Sequence, residues 1–161
     1  MRQPSKPVLF ILAVAVSLFH ACSPGGQEKD IEELNTLIDN WHKAAATADE
    51  EAFFGFMTDD CIYLGTDKTE KWKRDELRMW SEKYFQRESA WSFKPTYREI
   101  YFSDDGNTAW FDERLDTWMG VCKGSGVVVR TGDTWKLSHY NLAVTVPNEK
   151  IDDFLDLVDE D

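Results

Sequence analysis

The order of apolar periodicities along this chain predicts an α+β domain: three N-terminal helices packed on one face of a curved antiparallel sheet, with a short helix at the C-terminus. Three observations carry that expectation. Apolar residues recur every three or four positions through most of the first half, the period drops to two after about residue 91, and Gly, Asn and Asp clusters divide the second half at hairpin spacing. At 161 residues the length fits one domain, and 42% hydrophobic residues with seven Trp supply an ordinary core.

The folded part is expected to open at Asp30-Ile31-Glu32-Glu33, an N-cap acid with Glu at the third helical position. Ile31, Leu34, Ile38, Trp41 and Ala45 then mark one face of a first helix. Asp49 caps a second, short helix carrying Ala52, Phe53, Phe56 and Met57. Cys61 to Leu64 is a short apolar run closed by the turn formers Gly65-Thr66-Asp67, hence a strand. Helical spacing returns from Lys73 to Phe85 through Leu77, Trp80 and Tyr84.

Alternation then begins at Trp91 and runs to Tyr101, and Asp104-Asp105-Gly106-Asn107 supplies a hairpin turn. Thr108–Met119, Cys122–Arg130 and Thr134–Val144 complete four strands. Pro147 stops the last one, and Ile151, Phe154, Leu155 and Val158 stripe an acidic final helix within the tail 148–161. Helices lying on the concave side of such a sheet enclose a cone, whose mouth is a natural small-molecule pocket.

The N-terminus has a different character. Arg2 and Lys6 precede an apolar run from Pro7 to Phe19, shorter than the ~18–20 residues a membrane span needs, so residues 1–21 are expected to be a signal peptide. Leu18-Phe19-His20-Ala21-Cys22 resembles a bacterial lipobox, which implies a lipid-modified Cys22 as the first mature residue. Phe19 and His20 depart from the usual motif. Residues 22–30, with Ser23-Pro24-Gly25-Gly26, are expected to be a flexible tether. The expected location is the bacterial cell envelope, lipid-anchored, and the outer membrane if the host is Gram-negative, because Ser23 follows the Cys. Cys61 and Cys122 would meet an oxidising compartment, where they either pair or remain buried thiols.

With 18 basic against 30 acidic residues the chain carries a formal charge of −12, which repels nucleic acid. His20, His42 and His139 are scattered and no Cys-x-x-Cys occurs, so no metal site and no cofactor is expected. Gly124-Ser125-Gly126 lies within a strand and signals a bulge or a close approach.

From about Ile31 to Pro147 the chain resembles the nuclear transport factor 2-like superfamily and, within it, the SnoaL-like domains. The likeness rests on Trp41 to Asp60, on Tyr63-Leu64-Gly65-Thr66-Asp67 with Trp72, and on Gly126 to Arg130 followed by Trp135 to Tyr140. It implies the cone-shaped fold over 31–147 and a homodimer formed through the sheet. In the ketosteroid isomerases of that superfamily a Tyr and a carboxylate base do the chemistry; the matching positions hold Trp41 and Gly65. Asp67, two residues on, can either reach the pocket as an acid–base group or cap its own turn.

On the last strand Trp135, Leu137, His139 and Asn141 share one face by simple alternation, so His139 and Asn141 are candidate polar contacts in the cone. Asp112, Arg114 and Asp116 alternate with Phe111, Glu113 and Leu115, a charge set explained by cross-strand ion pairs or by an acidic pocket wall. The expected ligand contacts are therefore Trp41, Tyr63, Asp67, Trp72, Glu113, His139 and Asn141. The expected function is an exported, anchored domain binding a small, largely apolar ligand without assigned catalysis. Its rivals are a SnoaL-like isomerase or cyclase using Asp67 or His139, and a dimeric association module.

Overall fold

The computed structural model describes residues 24–158, so the signal segment and Cys22 lie outside the described residues. The order is α1 (Pro24–Ala46), α2 (Glu50–Gly55), β1 (Met57–Leu64), β2 (Lys71–Lys73), α3 (Arg74–Phe85), β3 (Lys94–Phe102), β4 (Thr108–Thr117), β5 (Gly120–Thr131), β6 (Thr134–Val144), a 3-10 turn (Asn148–Lys150) and α4 (Ile151–Val158). The strands form one sheet in the order β2-β1-β6-β5-β4-β3, antiparallel throughout except where β1 runs parallel to β6. This is the expected α+β architecture. No helix among the described residues is long and apolar enough to cross a membrane.

Three local expectations change. The stretch 24–30, expected as tether, is the beginning of α1, and Asp30 does not cap a helix there. It lies inside α1 and pairs with Arg130 of β5 at 2.7 Å. Met57, expected in the second helix, opens β1, which therefore starts four residues before Cys61 and takes in Asp59 and Asp60. Trp72 sits on a short edge strand, β2, opposite Tyr63.

Asp49 caps α2 as its sequence suggests, accepting the Ala52 N–H at 3.0 Å. The α3 start is held by Glu76, whose carboxylate accepts the Lys73 N–H at 2.9 Å. Arg78 to Glu50 ties α3 to α2, and Arg74 to Asp59 ties it to β1. Leu34, Ile38 and Trp41 of α1 are fully buried against the sheet, each contributing roughly 1.5–3 kcal/mol by removal from water. Trp41 stacks on Phe53 at 5.1 Å and meets Tyr140 edge-on at 4.8 Å.

The inner face of the sheet departs from simple alternation on β6. Val127 of β5 pairs with His139 while the next residue, Val128, pairs with Leu137. Ser138 is therefore an extra residue, and a bulge of this kind reverses the facing of every residue beyond it. Trp135 and Leu137 are buried before it, Tyr140 and Leu142 after it. The apolar stripe of α4 is exposed, with Ile151, Phe154, Leu155 and Val158 between 40% and 47% accessible.

Candidate functional site

A cleft of about 250 Å³ opens at the mouth of the cone. Tyr63 of β1 and Trp72 of β2 form one wall, adjacent because their strands pair there. Trp80 and Tyr84, one turn apart on α3, form the second. Trp91 and Phe93 come from the segment entering β3, and Leu142 of β6 adds an apolar patch. The β4–β5 turn, whose Gly120 has a φ of +86°, presents Trp118 and Met119 at the rim. Trp118 is 83% exposed.

These rings form a continuous circuit. Successive centroids from Tyr63 through Trp72, Trp80, Tyr84 and Trp91 to Phe93 are separated by 6.3, 4.7, 5.1, 6.5 and 6.4 Å. Phe93 then meets His42 at 6.5 Å, His42 meets Tyr140 at 6.4 Å, and Tyr140 returns to Tyr63 at 5.4 Å. Such contacts are within the range of favourable aromatic pairing. Burial first, then the nearby charges of Glu70 and Glu113, raise the Tyr63 phenol well above its usual value, so it stays protonated.

Behind this wall lies a buried polar cluster. Glu113 is 2% exposed and its two oxygens are divided. Oε1 accepts from His42 Nε2 and from the Tyr140 hydroxyl, each at 2.8 Å. Oε2 takes both Arg98 Nε at 3.1 Å and a terminal nitrogen at 2.9 Å. Arg98 reaches on to Asp39 and Asn35 of α1. Burial opposes ionisation of Glu113, yet His42, Arg98 and Tyr140 together outweigh it and hold the carboxyl below its ordinary value. These six side chains tie α1 to β3, β4 and β6, and none of them lines the cleft.

The residues expected at the site divide accordingly. Tyr63 and Trp72 line the cleft. Trp41 is a core residue at 2% exposure, and its indole N–H has no hydrogen-bond partner among the described groups. Glu113 belongs to the buried cluster. Asp67 is on an exposed turn, where its carboxylate accepts the Thr69 N–H at 2.8 Å and the Thr69 hydroxyl at 2.6 Å, and those bonds lower its pKa. It caps its own turn. His139 and Asn141 face the opposite side of the sheet from Tyr140, because the Ser138 bulge reverses the alternation, and neither lines the cleft.

Sequence reasoning missed Trp80 and Tyr84 as lining residues. For Trp80 and Tyr84 the signal was present as the α3 stripe, which looks the same whether a core or a cleft covers it. Glu70 was also missed. Its Oε2 accepts the Asp67 N–H at 3.2 Å, and it packs so closely on Gly65 that a Cβ there would lie 2.1 Å from that oxygen. Cys61 and Cys122 are both buried free thiols, so the unpaired alternative holds. No group of three His, Cys, Asp or Glu side chains among the described residues is arranged to hold a metal ion.

Residues 34–147, well over half of the chain, match the family model for the SnoaL-like domain. The chain belongs to the SnoaL-like domain family. Solved structures agree on the fold of this SnoaL-like domain. An NTF2-like protein of unknown function from Pseudomonas putida KT2440 is similar at 14% identity and a TM-score of 0.62, covering 77% of this chain and 92% of that one. A protein of unknown function with a cystatin-like fold from Nostoc punctiforme shares 15% identity at a TM-score of 0.61, over 73% and 92% of the two chains. A candidate dehydratase of the NTF2-like family from Streptomyces avermitilis shares 15% identity at a TM-score of 0.64, over 75% and 99%. No curated protein matches the sequence.

Proposed function

We propose that this SnoaL-like domain is an exported, lipid-anchored binding protein that holds a small, largely apolar ligand in its aromatic cleft, without assigned catalysis. One observation carries the binding reading: an unbroken run of rings from Tyr63 to Phe93 lines an open cleft. Apolar walls with few polar groups are the usual make-up of a small-molecule site. The two acid–base candidates weigh against the isomerase or cyclase alternative, since Asp67 is committed to its turn and His139 is on the other face of the sheet. The test is saturable fluorescence enhancement of N-phenyl-1-naphthylamine. Trp80→Ala should weaken it at least ~tenfold, the order of one lost aromatic contact in a pocket; an undiminished response would remove the cleft from the binding site.

The anchor rests on Cys22 after the apolar run 7–19. Cys22→Ser should move the protein from the detergent phase to the aqueous phase on cloud-point partition, and unchanged partition would end the anchor reading.

A second reading, a homodimer through the outer sheet face, is favoured by one feature. Tyr101 and Trp110 stack at 5.9 Å on that face while remaining 36% and 43% exposed. Trp110→Glu should convert a sedimenting dimer to monomer, and a wild-type monomer at micromolar concentration would defeat this reading.

A further inference from the structure

The cleft has a chemical bias beyond apolar character. Its lining includes one carboxylate, Glu70, and no Lys, Arg or His. Glu70 forms no ion pair among the described residues, whereas Asp30, Asp39, Glu50 and Asp59 each have an arginine partner. Oε2 serves the Asp67 N–H, and Oε1 has no protein donor among the described hydrogen bonds. A half-buried carboxylate in an aromatic site therefore has a charge left to satisfy.

The rings around it are of the type that attracts cations. Trp, Tyr and Phe present a negative face, and Trp is the strongest of the three. Trp72, Trp80 and Trp91 all line the cleft, with Tyr63 and Tyr84 between them. Cations already use ring faces on α3: Lys83 Nζ stands 4.9 Å and the Arg87 guanidinium 4.7 Å from the Tyr84 centroid. Neither of those side chains lines the cleft. The formal charge of −12 further raises the local concentration of cations over anions.

We propose that the cleft selects an organic cation with an apolar body, a quaternary or tertiary ammonium whose charged head sits among Trp72, Trp80 and Tyr63 beside the Glu70 carboxylate. The inference rests on the reading of the cleft as a small-ligand site. It adds the charge of the ligand and the residue that selects it. A neutral ligand of the same shape fills the same volume but leaves Glu70 unpaired, and an anionic one meets both the carboxylate and the ring faces with the wrong sign.

The experiment compares phenyltrimethylammonium with its uncharged carbon isostere, tert-butylbenzene, by quenching of Trp fluorescence in the domain. N-phenyl-1-naphthylamine serves as a charge-neutral reporter of the cleft itself. The cation should bind at least tenfold more tightly than the isostere and weaken with added salt. Glu70→Gln, which keeps an acceptor for the Asp67 N–H, should lower cation affinity about tenfold while tert-butylbenzene affinity and thermal midpoint stay unchanged. Equal affinity for the two isosteres, or a Glu70→Gln variant that binds the cation normally, overturns the inference while naphthylamine binding leaves the pocket reading intact. Failure of all three probes, including the naphthylamine, removes the pocket reading and this inference together.

Discussion

The Tyr140 hydroxyl donates to Glu113 Oε1 at 2.8 Å across β5, passing over Gly124, the β5 residue opposite Glu113, while Gly126 is the one opposite Tyr140. A Cβ on Gly124 would stand 2.2 Å from the Tyr140 oxygen and 2.9 Å from Glu113 Cγ. Glycine is needed here for a close approach across three strands. Gly126 serves the same purpose for Phe111, whose Cζ would be 2.5 Å from an added Cβ.

Gly124→Ala should therefore cost about 2 kcal/mol or more, combining overpacking with a strained buried hydrogen bond. The urea midpoint of unfolding reports it. A wild-type midpoint would mean that Tyr140 and Glu113 can separate freely, contrary to the bracing role assigned to them.

Glu113 gives the fold an acid limb. Its folded-state pKa lies below the ordinary 4.5, so the stabilisation it contributes is complete above that value and is lost as pH falls through the lower, folded value. Unfolding free energy should fall as pH drops below the ordinary carboxylate value of 4.5, and Glu113→Gln should flatten that slope. The same substitution should cost about 3 kcal/mol at neutral pH, because Arg98, with its side chain 5% exposed, loses the buried charge that accepts two of its N–H groups. An unchanged acid slope in the variant would place the responsible carboxyl elsewhere.

Cys61 should be inert to disulfide reagents in the native state. Burial, then the charge of Asp60, push its thiol up to about 12, with Arg74 opposing only in part, so almost no thiolate exists at neutral pH. In a Cys22→Ser background, Ellman's reagent should find no fast thiol in the folded protein and two in denaturant, from Cys61 and Cys122. No thiol in denaturant would show that the two cysteines had become a disulfide.

His139→Ala and Asn141→Ala should leave naphthylamine binding within about twofold of wild type, while Trp72→Ala lowers it about tenfold or more. The contrast separates the two faces of the sheet. Loss of binding on replacing His139 would contradict the β6 register.

Much of this was legible beforehand, because apolar period is a local property of the chain. The α3 stripe, the β6 limits at Thr134 and Val144, the Asp49 cap and the inward facing of Phe111, Glu113 and Leu115 all follow from residues within one or two turns of each other. Even the close-approach alternative for Gly124-Ser125-Gly126 is the one the strand adopts, since β5 keeps continuous register with β4 there.

The amino-acid sequence by itself determined the α+β class, the succession of helices and strands, and the aromatic character of whatever the cone would hold. Only the tertiary structure decided which rings face the cleft. Ser138 becomes an extra residue where β6 pairs with β5, and that shift of register sends Tyr140 inward and His139 outward. Trp41 is drawn into the core by Phe53 and Tyr140, while Trp80 and Tyr84 are left at the mouth by the position of α3 against β1 and β2. These outcomes depend on contacts between residues far apart in the chain, which no local period records.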